Sequence, residues 1–415
     1  MVPMNIAEVA TYAITFLALY VQIFLFVTYL ERRKTLAKET TQAIALDHFP
    51  SIAIVVPCWN EGTTVHGTIE SLLALDYPKD KLQVIAVDDG STDNTWDEIL
   101  KYKDHPQVQI LQKENGGKHT AVNYGIEHTT TDFVSCLDAD SFVAPDALKR
   151  IMYMFQTQPD CMAVAPSIII FKPKTFIQKV QKVEYNMGIY VKKMLAYLGA
   201  IHVTPGPFSV FRREVFDKLG GFRKAHNTED MEIAYRMQEA QMRIGHCHTA
   251  HIFTVAPSTV PKLFKQRVRW IYGFIQNTID YRRLIFRKSY GNFSFFTLPS
   301  GIVSITATVY IFFTILYNAL VWVIEKIAQW RTVGLQGNLG INFNWFYINT
   351  QTILFITVAL YMIIAFVTYI GSRMAHERLN PFYLVWYILT YSVIAPFWLM
   401  KAVWSSLTKH KPSWR

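Results

Sequence analysis

The sequence predicts an α/β domain with a largely parallel sheet, set between stretches that are apolar enough to cross a bilayer. Three observations carry this. Between residues 51 and 255, short apolar runs alternate with amphipathic stretches, the pattern of strands joined by crossover helices. Outside that region, apolar stretches near 9–30, 298–324, 346–370 and 381–405 approach the roughly 20 residues that a membrane-spanning helix needs. Finally, the 415-residue chain is 51% hydrophobic and 14% aromatic, which argues against a protein that is soluble throughout.

Taken in order, the first apolar stretch has no basic residue before it and carries Arg32, Arg33, Lys34 and Lys38 after it. It therefore reads as an anchor, not a cleavable signal, with its N-terminus outside and residue 31 onward inside. Ile52–Val56, Val84–Val87, Val108–Leu111 and Phe133–Leu137 read as strands. Between them, 63–75, 91–103 and 119–128 read as helices, the second capped by Ser91 or Thr92. A further amphipathic helix is expected over Glu232 to Gln241, and Val260 to Phe286 reads as a basic, aromatic helix at the membrane surface. Arg282, Arg283, Arg287 and Lys288 precede the next span and also favour the cytoplasmic side. The expected partition is an N-terminal span (1–31), a cytoplasmic domain (32–258), an interfacial segment (259–292) and a C-terminal membrane region (293–415).

Cys58, Cys136, Cys161 and Cys247 form no CxxC pair and read as reduced, buried residues. His246, Cys247, His248 and His251 have spacings a transition metal accepts, but fit better as a strand with one side buried. The net charge of +10 does not choose between nucleic acid, anionic lipid and a phosphorylated substrate. No other feature calls for nucleic acid, and none is expected as a partner. At the C-terminus, four crossings would return the chain outside, whereas Lys409, Lys411 and Arg415 favour inside. Either the last stretch, broken at Pro396, is re-entrant or doubles back, or the charge rule fails for this short tail.

In a parallel sheet, ligands gather beyond the carboxyl ends of the strands. There the sequence places Pro57-Cys58-Trp59-Asn60-Glu61, Asp88-Asp89-Gly90-Ser91 and Asp138-Ala139-Asp140. A solvated turn explains any one of these, but not three in register. Asp138-x-Asp140 has the form of a diphosphate-metal site, where Mg²⁺ or Mn²⁺ takes carboxylate oxygens and keeps positions for phosphate. Asn115-Gly116-Gly117-Lys118 offers backbone amides and a cation without the spacing of a Walker loop. Thr228-Glu229-Asp230 opens a helix and alone would read as a capped acidic first turn. It follows Thr204-Pro205-Gly206-Pro207 and precedes Gln266-Arg267-Val268-Arg269-Trp270, where two cations adjoin an indole that offers a sugar a flat face.

This ordered set, Asp88-Asp89-Gly-Ser, Asp138-x-Asp140, Thr228-Glu229-Asp230 and Gln266-Arg267-x-Arg269-Trp270, resembles the processive family 2 glycosyltransferases. That group includes cellulose, chitin, hyaluronan and poly-N-acetylglucosamine synthases. The resemblance implies a GT-A-like, Rossmann-like nucleotide-sugar domain joined to a helical transmembrane region at the plasma membrane, with its catalytic domain cytoplasmic. It implies that Asp88, Asp89 and Asp138 contact the nucleotide, with Pro57, Asn60, Glu61 and Lys118 around the donor. Asp140 would ligate the metal, Asp230 would be the catalytic base beside Glu229, and Gln266, Arg267 and Arg269 would hold the diphosphate. Thr228, Trp270, Gly206 and Pro207 would face the acceptor.

The implied partners are a UDP-sugar, best read as UDP-N-acetylglucosamine, a glycan acceptor and the bilayer. The resemblance leaves room for a small accessory membrane subunit, which no residue specifies. The implied reaction is a single displacement with inversion, followed by translocation through a narrow passage lined by aromatics such as Trp322, Trp345, Trp386 and Trp398. The competing readings are a non-processive transferase acting on a lipid-linked acceptor and a transporter or sensor without turnover. Intramembrane charges would favour transport, and they are nearly absent.

Overall fold

The structure, a computed structural model, describes residues 6–333 and 352–410. Trp345, Lys411, Arg415 and the start of the expected 346–370 span lie outside the described residues. A long helix α1 (Ile6–Thr41) precedes the α/β domain. The four expected strands form as β1 (Ile52–Cys58), β2 (Leu82–Asp89), β3 (Val108–Lys113) and β4 (Phe133–Cys136), all parallel in the order β3-β2-β1-β4. Their apolar residues are covered on both faces, as a parallel sheet requires. The connecting helices are α2 (Val65–Leu73), α3 (Thr95–Leu100) and α4 (Lys118–Glu127).

Helix α3 starts later than expected and is not capped by Ser91 or Thr92. Both residues are engaged elsewhere: the Asn60 amide donates to Ser91 Oγ, and Thr92 donates to Asn60 Oδ1. The helix begins only past Asn94.

The second half mixes directions. It comprises β5 (Ser141–Val143), α5 (Ala147–Thr157), β6 (Cys161–Ile170), α6 (Phe176–Tyr197), β7 (Val210–Arg212), α7 (Arg213–Leu219), α8 (Glu229–Glu239) and β8 (Arg243–Thr254). Strand β7 lies antiparallel between β4 and β6, β6 pairs parallel with β8, and β5 adds antiparallel to β8 at the edge. His246, Cys247, His248 and His251 all fall on β8, and the four cysteines are buried and free.

Helix α9 (Val260–Asp280) leads to α10 (Leu298–Val333), α11 (Thr352–Met374) and α12 (Pro381–Leu407). Together with α1, the last three give four helices long and apolar enough to cross a membrane. Their outer faces expose Phe16, Ile315, Phe355 and Val393, which is apolar surface suited to lipid. Helix α12 runs unbroken through Pro396, so the last stretch does not double back.

Helix α6 joins the two regions. It starts with a capping box, in which Thr175 Oγ1 accepts from the Gln178 amide while Gln178 Oε1 accepts from the Thr175 amide. It then packs on α11 at Gly371, where a Cβ would lie 2.1 Å from the Asn186 carbonyl oxygen, so only glycine admits the contact. Tyr190 donates to the Leu25 carbonyl of α1, and Lys193 pairs with Glu39 at 2.6 Å.

Candidate active site

The ends of β1, β2 and β4, the start of α8 and the middle of α9 border one cavity of about 1430 Å³. Pro57, Glu61, Asp89, Lys118, Asp138 and Asp140 line it on the sheet side. Gly206, Pro207, Thr228, Glu229 and Asp230 line it opposite, with Gln266, Arg269 and Trp270 from α9. The structure thus brings together most of the residues that the motifs single out. Asn60, Asp88 and Arg267 sit behind the wall. Asn60, in a left-handed conformation (φ 55°), ties the β1 loop to residues 91–92. Asp88 is fully buried and accepts from the Ser91 amide and from Gln112 Nε2. Arg267 turns toward α6, pairing with Glu184 at 2.6 Å, and its guanidinium stacks 4.2 Å from the Trp270 ring centre. Tyr391 of α12 donates to the same Glu184 carboxylate at 2.5 Å. Arg267 is therefore placed to orient Trp270, not to face the cavity.

The Gly-Gly turn also differs from expectation. The amides of Gly116 and Gly117 donate to Asp89, as does Lys113 Nζ, so they hold a carboxylate instead of opening toward the cavity. Lys118, first in α4, pairs with Asp138 at 2.5 Å and lies 3.5 Å from Glu229, which links the ends of β4 and α8. Gly206 lets Lys118 lie close, since a Cβ there would fall 2.6 Å from Lys118 Nζ and displace the ammonium.

Thr228 precedes the first turn of α8 and makes no side-chain cap. The helix opens at Glu229, with Thr228 at its cap position, so the acidic triplet begins it as expected. His226 and Asn227, both left-handed (φ 51° and 59°), bend the chain into it, a costly conformation for residues with a Cβ. The turn is held from outside: Thr204 donates its amide and hydroxyl to the Asp230 carbonyl, and Arg269 donates to the Asn227 carbonyl. Burial, reinforced by Glu229, raises the Asp230 carboxyl to about 6 despite the opposing pull of Lys118 and Arg269. Burial and then the Asp138 and Glu61 carboxylates raise Asp140 to about 6 as well. Among the described residues, no three His, Cys, Asp or Glu side chains group closely enough to chelate an ion alone.

Beyond Asp230 the same cavity continues between the long helices, past Gln22 of α1 and Ser300, Gly301, Ser304 and Thr308 of α10. Small and hydroxyl-bearing residues stand there beside apolar ones, among them Val21, Leu25, Phe296 and Ile305, and the described tryptophans expected to line a passage are not among them. Trp322 and Trp386 are exposed on the outer surface, and Trp398 is buried against Tyr391. Sequence reasoning also missed Glu184, Gly188 and Lys192, which line the cavity from α6. Their spacing of four residues, with a glycine inside a long helix, was the available signal.

This carboxylate-bearing cleft lies at the strand ends of a family 2 glycosyltransferase domain: residues 53–220 match the family described as Glycosyl transferase family 2. The fold is of the GT-A type. A mannosyltransferase, PcManGT from Pyrobaculum calidifontis, solved with GDP-Man and Mn²⁺, superposes over 96% of this chain and 99% of its own with a TM-score of 0.57 at 17% identity. The chain is homologous to the poly-β-1,6-N-acetyl-D-glucosamine synthases. It is 32% identical to that of Staphylococcus aureus (strain COL) over 55% of this chain and 56% of the relative, so the match spans little more than half of either. To that of Staphylococcus epidermidis it is 28% identical over 83% of this chain and 80% of the relative.

Proposed function

We propose that the protein is a membrane-embedded, inverting glycosyltransferase that uses a divalent cation to extend a β-linked polysaccharide from a UDP-sugar, UDP-N-acetylglucosamine by preference. The observation that carries this is Asp230: a half-buried carboxylate at the first turn of α8, opposite the Asp138 and Asp140 carboxylates, in a cavity that continues between the long apolar helices. The S. aureus and S. epidermidis relatives support the sugar.

The carboxylates fit a hard cation. Asp140 is crowded by Asp138 and Glu61, and such ions are commonly bound through one or two carboxylates with phosphate oxygens completing the shell. Asp140 would hold the ion with Asp138 nearby, and the Mn²⁺ in the mannosyltransferase complex supports the assignment. When bound, the ion would neutralise charge on the departing diphosphate.

This chain's own residues do the rest. Lys118 and Arg269 place positive charge beside the leaving group. Asp230, ionised at neutral pH yet basic for an aspartate, takes the proton of the acceptor hydroxyl as it attacks the anomeric carbon from the far side. Trp270, held by Arg267, gives the acceptor ring an apolar face. The α1–α10 channel then receives the product, with residues 32–292 on the cytoplasmic side as the positive-inside rule favours.

The test is to incubate membranes with a panel of radiolabelled UDP-sugars and size the product. A long polymer from UDP-N-acetylglucosamine that is lost in EDTA and restored by Mn²⁺ or Mg²⁺ is expected. Single-sugar addition to lipid would favour the non-processive reading.

A further inference from the structure

Helix α6 presents Glu184, Gly188 and Lys192 to the cavity on one face, four residues apart. Each is unusual in its own way. Glycine is the poorest ordinary residue inside a helix, yet no packing demands it at 188: a Cβ built there meets nothing within 4 Å. The gap it leaves opens into the cavity. One turn on, Lys192 makes no hydrogen bond or ion pair among the described residues, and burial lowers its ammonium to about 8, opposed by the field of Asp230. Across from it, His202 stands edge-on to Phe274 with Nδ1 buried and lacking a hydrogen-bond partner. At the other end, Glu184 anchors Arg267 and through it the Trp270 ring.

The stripe from Glu184 to Lys192 is about 12 Å long at the rise of an α-helix, room for a short run of sugar rings. It shares one cavity with the Asp230 turn and with the α1 and α10 residues Gln22, Ser300, Ser304 and Thr308. Resting on the polymer-forming reading above, we propose that the α6 face Glu184–Gly188–Lys192, closed by Trp270 and His202, is a subsite for the sugars most recently added to the chain. Gly188 leaves space for a pyranose ring. Lys192 Nζ donates to hydroxyl or amide-carbonyl oxygens of the glycan, and His202 Nδ1 supplies a second polar contact. Glu184, already neutralised by Arg267, adds no net charge, which suits an uncharged glycan.

A side chain at 188 tests this cleanly, because it enters empty space and improves the helix, so a purely structural role predicts no loss. Full-length protein in lipid nanodiscs would be supplied with radiolabelled UDP-N-acetylglucosamine, with product length and UDP affinity measured for Gly188→Ala, Gly188→Leu, Lys192→Met and Lys192→Arg. Gly188→Leu is expected to shorten the product at least tenfold with UDP affinity unchanged, Gly188→Ala to act more weakly, and Lys192→Arg to recover most of what Lys192→Met loses. Wild-type product length in Gly188→Leu would overturn the subsite while leaving the polymerase reading intact. An unmutated protein that incorporates no sugar would overturn that reading and the subsite with it.

Discussion

Asp230 is held in a state that a solvated aspartate does not reach, and its burial sets two opposite expectations. In the proposed role of base it would work ionised, so with its carboxyl near 6 the kcat/KM should fall about tenfold per unit as pH drops below 6 and level off above. For stability the sign reverses. The folded-state value lies above that of an unfolded aspartate, so stability is full in acid and is lost as pH rises from about 4 through 6. Asp230→Asn should therefore abolish transfer, retain UDP binding and raise the melting temperature at pH 7 by a few degrees. Arg267 behaves differently. It is buried and paired with the half-buried Glu184, so Arg267→Ala should cost about 3 kcal/mol in a denaturation experiment, more than the paired change of Arg267 and Glu184 to methionine. The sequence singled out Asp230 only through the ordered motifs on either side, because an acidic triplet by itself reads as an ordinary helix start. It did not show that Arg267 faces Glu184, since a helix position gives no direction without knowledge of what packs on it.

Helix α9 reaches the acidic turn through a missing side chain. At Gly273 a Cβ would lie 2.3 Å from Thr228, whose hydroxyl also accepts from Asn277 Nδ2. Gly273→Ala should push α9 off the turn and shift Trp270 and Arg269 with it, lowering kcat by about 100-fold, the scale of an ångström-sized misplacement. Unchanged protein levels in the membrane would show that the fold survives. At this scale the parallel half of the sheet was legible, since each strand is an apolar run ended by a polar turn. The mixed half was not: β5 and β7 have three residues each and β7 runs against its neighbours, a pairing that only tertiary contacts decide. The late start of α3 likewise depended on Asn60, more than thirty residues away in sequence.

Across the whole molecule the cavity runs from carboxylates to hydroxyls. If glycan leaves by that route, Ser300→Trp should block it and shorten the product while UDP affinity holds, as measured by sizing polymer from membranes. The composition of the spans showed that the helices are long and apolar enough to cross a bilayer but not what lines the space between them. Aromatic residues drew attention by size, whereas small hydroxyls and glycines leave the room.

The end of α1 carries a practical consequence. Glu39 is the counterion of Lys193, which is 2% exposed, and Thr40 bonds the ring of His248 on β8. A recombinant fragment that begins after residue 41 would strip both from the catalytic domain, stranding a cation in its interior. Attempts to obtain the enzyme without its anchor should yield poorly soluble material, and detergent-extracted whole chain is the better starting point for crystallisation or kinetics.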